Sequence, residues 1–263
     1  MNLKEICLQV VEVAREAGQF ISQEAQAFNR DVVEYKDVNN VVSYVDKETE
    51  KLIVAKLSKI LPEAGFVTEE GTADTSDREG LNWIIDPLDG TANFIHGLPV
   101  YSVSLALALG KEPILGVIYH IGTQEIFYAT KGGGAFRNDK AIKVTSISSL
   151  GESLLATGFP YYKFESQDKY LKILESLMQK THGLRRMGSA AIDLAYVACG
   201  RFDGFYEYNL NSWDMAAGII LIKEAGGFVS DFSGGDEFLY RGDIVAGSPV
   251  YHELLKEIQR FWY

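Results

Sequence analysis

Leu81-Asn82-Trp83-Ile84-Ile85-Asp86-Pro87-Leu88-Asp89-Gly90-Thr91 opens as an apolar run and ends on an acidic turn. Residues 81–85 predict a short strand that delivers Asp86 at its C-terminal end. Pro87 fixes the bend and Gly90 permits close approach of the backbone. Gly90-Thr91-Ala92-Asn93 then opens a helix, whose free N–H groups and positive dipole end can seat a phosphate. Two carboxylates in one cleft repel each other and raise a pKa. A divalent cation removes that cost, and oxygen-only donors favour a hard ion such as Mg²⁺. Taken alone, the same residues also read as an acidic turn with a helix cap.

The same arrangement recurs just upstream, where Gly65–Thr68 predicts a strand delivering Glu69 and Glu70. Before it, a second helix begins at Asp46, whose side chain could cap it, and Pro62 stops it. Residues 30–40 read as a loop or hairpin. Leu3, Ile6, Val10, Val13, Ala17 and Phe20 recur at helical spacing and predict an amphipathic first helix. Downstream, strands are expected at 103–109, 113–119, 125–130, 135–143, 154–157, 205–208, 228–230 and 244–246. Helices are expected at 170–179, 190–198, 213–225 and from about Pro249 onward. This irregular alternation predicts a layered α/β arrangement rather than a barrel. We read residues 1–263 as a single domain, with any sub-lobes falling at 1–147 and 148–263.

A formal net charge of -11 makes nonspecific nucleic-acid binding a poor expectation. It would also repel an anionic small substrate unless bound cations reverse the local field. A hydrophobic content of 47% is enough for a sizeable core. The apolar stretches 100–109 and 216–222 are too short or too interrupted to span a bilayer. Cys7 and Cys199 have no CxxC partner, so a reduced, cytoplasmic setting is expected. The glycine run at 131–134 lacks the Gly-Lys-Ser/Thr ending of a phosphate-binding loop and reads as a turn. His96, His120, His182 and His252 are scattered without ligand spacing.

Far downstream, Trp213-Asp214-Met215-Ala216-Ala217-Gly218 places an acid at the start of a small-residue helix, which continues to Glu224-Ala225-Gly226-Gly227. Taken with Trp83–Phe94, Glu69-Glu70, the 132–135 turn and Gly188-Ser189-Ala190-Ala191-Ile192-Asp193, the chain resembles the inositol monophosphatase family. That family is part of the lithium-sensitive, metal-dependent phosphatase superfamily, and the likeness runs over nearly the whole chain. It implies an αβαβα sandwich of the inositol monophosphatase and fructose-1,6-bisphosphatase type, lithium sensitivity and a homodimer. It implies Mg²⁺, two ions per site and up to three.

By the same resemblance, Glu69, Asp86 and the Leu88 carbonyl would hold one ion, and Asp86, Asp89 and Asp214 the other. Glu70 and Asp46 would serve outer-shell water or a weaker third ion. Glu69, Thr91 and Asp46 form the implied catalytic set, with the Thr91 hydroxyl orienting a metal-activated water for in-line attack on phosphorus. Asp89, Gly90 and Thr91 would meet the phosphate end, and Ser189, Ala190 and Glu207 the alcohol. A carboxylate such as Glu207 accepts hydrogen bonds from adjacent ring hydroxyls, which suits a phosphorylated polyol. Arg185-Arg186 could reach a second phosphate or a subunit interface, or be plain surface charge.

The sequence departs from relatives in two places. Ala92-Asn93-Phe94 stands where nucleotide-directed members carry Lys-Glu-Phe, which argues against a nucleotidase. Asn209-Leu210-Asn211-Ser212 replaces the His-Cys that often precedes the tryptophan in animal members. Inositol monophosphate is therefore the expected substrate, with fructose 1,6-bisphosphate or dual sugar specificity as the alternative. A regulatory binding role on the same scaffold is the reading from another class.

Overall fold

In the computed structural model, which describes residues 2–27, 34–35, 41–42, 44–73, 75–77 and 79–263, helix α1 (Leu3–Ala27) leads into the paired short strands β1 (Glu34–Tyr35) and β2 (Val41–Val42). Helix α2 (Tyr44–Ile60) follows. A seven-stranded sheet then takes β3 (Gly65–Thr68), β4 (Leu81–Asp89), β5 (Ser102–Leu109), β6 (Glu112–His120), β7 (Glu125–Thr130), β8 (Gly134–Arg137) and β9 (Lys140–Ala141) in chain order. The short helix α3 (Thr91–His96) lies between β4 and β5. Every pairing in this sheet is antiparallel except β3 with β4.

The second half runs β10 (Leu154–Thr157), α4 (Gln167–Lys180), β11 (Gly183–Arg185), α5 (Ala190–Ala198), β12 (Gly204–Glu207), α6 (Ser212–Glu224), β13 (Phe228–Ser230), α7 (Phe238–Arg241), β14 (Ile244–Gly247) and α8 (Tyr251–Trp262). Its strands form a five-stranded mixed sheet in the order β11-β10-β12-β14-β13.

Alternation along the strands sets the layering. Trp83 and Ile85 of β4, with Val103, Leu105 and Leu107 of β5, pack against α1 and α2. Ile84, Ala106 and Ala108 point the other way, toward α5 and α6. Small residues on that face let the two helices lie close to the first sheet, while Ala156, Phe205 and Ala246 close on them from the second. On the far side of the second sheet, Leu155, Tyr206 and Val245 meet Tyr170 and Ile173 of α4 and Leu254 and Ile258 of α8. The result is the expected αβαβα sandwich. Burying each large apolar side chain in these layers contributes about 1.5–3 kcal/mol. No helix among the described residues is long and apolar enough to cross a membrane.

Several boundaries differ from the sequence reading. Helix α2 begins at Tyr44, so Asp46 sits inside its first turn rather than at its cap. Strand β4 continues past Asp86, because pairing with β5 resumes at Asp89↔Ser102 after a break in register. The single strand expected at 135–143 is split into β8 and β9 by Asn138 and Asp139, which have φ of 48° and 64°. Strand β12 ends at Glu207, one residue early, where its pairing with Ile244 stops. Strand β11 and helix α7 were not foreseen; both are too short to show a period, and β11 is held by parallel pairing with β10. The expected hairpin at 30–40 is seen only as Glu34↔Val42 and Tyr35↔Val41; residues 30–33 and 36–40 lie outside the described residues. The glycine turn at 131–134 is a turn, and Gly132 and Gly134 each donate a backbone N–H to the Glu224 carboxylate at 2.8 Å.

Candidate active site

Parallel pairing of β3 with β4 places Thr68 beside Ile85. The carboxylates that follow each strand therefore emerge at the same end. Glu69 donates its N–H to the Ile85 carbonyl at 3.2 Å, and its side chain is hydrogen-bonded to that of Asp86. Asp86 Oδ1 in turn accepts the Leu88 N–H at 2.9 Å, which bends the chain locally. The Leu88 side chain is fully buried toward α1 and α2, while its carbonyl accepts the Thr91 hydroxyl at 2.9 Å. Gly90 joins β4 to α3 at φ 94°, and a Cβ there would stand 2.8 Å from the Val100 carbonyl oxygen, so only glycine fits.

From α2, the buried Asp46 reaches the Thr91 hydroxyl at 3.4 Å. One turn further on, Glu50 accepts the Glu70 N–H, the Thr72 N–H and the Thr72 hydroxyl. It pins the loop that carries Glu69 and Glu70. Glu50 was missed in the sequence, although its spacing of four from Asp46 puts both on one helix face.

Asp89 ties the first sheet to α5. Its Oδ2 accepts the Ala191 N–H at 2.8 Å and the Ser189 hydroxyl. Ser189 caps α5, accepting from the Ile192 N–H at 3.3 Å. The Ser189 hydroxyl is thus committed within the fold, and only 2% of the residue's surface is exposed. Asn93 makes a parallel tie, donating to the carbonyls of Val100 and Met187 at 2.7 and 2.9 Å.

Asp214, at the third position of α6, uses Oδ2 to accept the Asn211 N–H at 2.6 Å. That is a capping role, and it leaves the other oxygen for the cleft. Asp86, Asp89 and Asp214 each offer an oxygen within 4.8 Å of one another.

Burial and crowding of like charges raise the pKa values of these acids. Burial first, then the charges of Asp214 and Asp46, hold the Glu69 carboxyl well above the carboxylate range. Burial and then Glu69, Asp89 and Asp214 do the same to Asp86. Burial lifts Asp89 to about 6 against the lowering effect of its bonds from Ser189 and Ala191. Asp214 is raised to about 7 by burial and then by Asp89. Oxygen donors alone, crowded and short of counter-charge, are the donor set a hard divalent ion satisfies.

The cleft holds a cavity of about 440 Å³, bordered by Glu70, Thr91, Ser189, Glu207 and Asp214, with Arg186 the single cation in its lining among the described residues. The Arg186 guanidinium lies over the rings of Phe159 and Tyr161, at 5.4 and 4.9 Å. Glu207, at the end of β12, is raised to about 8 by burial, which outweighs the pull of Arg186. Of the site residues named from the sequence, Glu69, Glu70, Asp89, Gly90, Thr91, Ser189, Ala190, Glu207 and Asp214 line this cleft; Asp46 and Leu88 are not in its lining but bond to Thr91, and Asp86 to Glu69. None of the four histidines borders it.

The profile of the inositol monophosphatase family matches residues 2–262. The chain belongs to that family. It is 41% identical over 252 residues to the inositol-1-monophosphatase of Mesorhizobium japonicum, covering 95% of each chain. It is 43% identical over 254 residues to the Nus factor SuhB of Pseudomonas aeruginosa, covering 95% of this chain and 94% of that one. The crystal structure of the extragenic suppressor protein suhB from Bartonella henselae superposes with a TM-score of 0.89 at 39% identity, covering 96% and 97%. Family membership supports phosphatase activity, and metal ions are typical of the family.

Proposed function

We propose that this chain is a magnesium-dependent phosphomonoesterase that hydrolyses inositol monophosphate to inositol and phosphate. The observation that carries this reading is the convergence of Asp86, Asp89 and Asp214, joined by Glu69, beside the start of α3. Glu69, Asp86 and the Leu88 carbonyl would hold one Mg²⁺ and Asp86, Asp89 and Asp214 a second, with Glu70 and Asp46 placed for outer water or a third ion. Bound cations would neutralise the cleft and acidify water there.

The chain's own groups do the positioning. Gly90 and Thr91 would offer their N–H groups to the phosphate, and the Thr91 hydroxyl, set between Leu88 and Asp46, would orient the attacking water. Glu207 and the Ser189-Ala190 backbone receive the polyol. The reading treats the chain as one functional unit and carries with it lithium sensitivity, a homodimer and a cytoplasmic setting.

A phosphate-release panel tests it. Turnover should require Mg²⁺ and be higher on inositol 1-phosphate than on fructose 1,6-bisphosphate; the opposite ranking would replace the substrate. A second reading, regulation through binding of a macromolecule, is favoured by the relatives named Nus factor SuhB. Metal-replete protein that frees phosphate from no polyol ester would favour it over catalysis.

The polyol end has its own test. A Cβ on Gly158 would stand 2.1 Å from Glu207 Oε1, so Gly158→Ala must displace that carboxylate. KM for inositol 1-phosphate should rise about tenfold, the equivalent of one hydrogen bond, with kcat little altered. An unchanged KM would remove Glu207 from the polyol site.

A further inference from the structure

Asn93 stands on α3, does not border the cavity and has no part in the reading above. A side-chain amide carries two N–H donors, and here both are used. Nδ2 donates to the Val100 carbonyl at 2.7 Å and to the Met187 carbonyl at 2.9 Å. Val100 lies between α3 and β5, and Met187 lies in the stretch that leads into α5. One half-buried side chain therefore fastens three segments together.

Those segments belong to the two ends of the proposed site. The Val100 oxygen that Asn93 holds is the atom that crowds Gly90, and the Gly188 carbonyl would stand 3.2 Å from a Cβ on that same glycine. Gly188 follows Met187 at φ 89°, and a Cβ there would stand 2.9 Å from Asn93 Nδ2. Gly90 and Gly188 are thus packed against one frame, with Asn93 in it and no room for a side chain at either. Gly90 and Thr91 line the cavity at the proposed phosphate seat, and Gly188, Ser189 and Ala190 line it toward the alcohol. Asp89 supplies a second tie through Ser189 and Ala191. That tie fixes the first turn of α5 and reaches nothing before it; the Met187 carbonyl is held by Asn93.

We infer that Asn93 is a positioning residue that sets the spacing between the phosphate seat and the alcohol end of the cleft, and so favours esters gripped at both. This rests on the phosphatase reading and sharpens it. An ester held at two ends reacts at full rate only when the two grips are correctly spaced, and an error on the order of 1 Å costs up to about 10²-fold. An ester held by its phosphate alone is aligned by the seat, where the Thr91 hydroxyl is anchored separately on the Leu88 carbonyl.

The test compares Asn93→Ala and the isosteric Asn93→Asp with wild type, all Mg²⁺-loaded, on inositol 1-phosphate and on p-nitrophenyl phosphate, whose leaving group carries no further hydroxyl. For Asn93→Ala, kcat on inositol 1-phosphate should fall about 10- to 100-fold while KM changes less than about threefold. That split is the reverse of the one expected for Gly158→Ala. On p-nitrophenyl phosphate kcat should change less than about threefold, which also records that the variant is folded. Asn93→Asp keeps the shape but turns an acceptor toward two carbonyls, so it should lose at least as much on inositol 1-phosphate. Equal losses on the two esters, a loss confined to KM, or inositol 1-phosphate turnover unchanged beside a lower melting temperature would each overturn the assignment while leaving the phosphatase reading standing. Wild-type protein that hydrolyses neither ester would instead sink the phosphatase reading, and the inference with it.

Discussion

Asp89→Asn is expected to lower Mg²⁺-dependent phosphate release by about 10³-fold, the scale seen when a key electrostatic group is removed from a catalytic site, while the protein stays folded. The asparagine carbonyl can still accept from Ser189 and Ala191, the two bonds that fasten α5 to β4. The charge it removes belongs to one of the three acids, Asp86, Asp89 and Asp214, whose oxygens lie within 4.8 Å of one another. Loss of turnover would then come without loss of helix content, which circular dichroism would record beside the kinetics. Full activity in this variant would refute the two-ion arrangement, because Asp89 is the acid that joins the cluster to the substrate end of the cleft.

Metal-free protein is expected to lose stability as pH rises from about 4 to about 7. The sign follows from the direction of the shifts. Asp89 and Asp214 titrate at about 6 and about 7 in the fold and near 4 in the unfolded chain. Across that window the unfolded chain binds fewer protons, so the unfolding free energy falls with each step upward in pH. The stabilisation is complete below the unfolded pKa and gone once the folded pKa is passed.

Added Mg²⁺ should reverse the loss at pH 8, where the carboxylates are ionised and free to bind it. At a concentration a hundred times its Kd, an ion that binds only the folded state contributes about 2.7 kcal/mol. For a chain of this size that raises the melting temperature by roughly 5–10 °C. Thermal melts of chelator-treated protein at pH 5, 6, 7 and 8, with and without Mg²⁺, measure both effects. A melting temperature flat in pH and indifferent to the ion would show that the acids are not a cation site.

Much of this was legible in the residues. The apolar run 81–85, the acid at each strand end and the small-residue helix after Trp213 are local signals, and the elements they predict are present. Boundaries failed where a partner decides them: β4 is prolonged by Ser102 across the sheet, and β11 exists because β10 lies beside it. Glu50 was overlooked for a related reason. It looks like an ordinary helical acid until its surroundings are known, and only then is it found holding the Glu70–Thr72 backbone.

The sequence by itself determined most of the elements and a layered α/β class, because hydrophobic period and turn chemistry act over a few residues; the αβαβα order and the roles of the acids were implied by the family resemblance. Tertiary structure alone decided which acids meet. Glu69 reaches Asp86 because β3 pairs parallel to β4, and Asp214 reaches Asp89 because α6 crosses the face of that sheet. The raised pKa values of those acids belong to the same level, since burial and the proximity of like charges arise only when distant segments pack together.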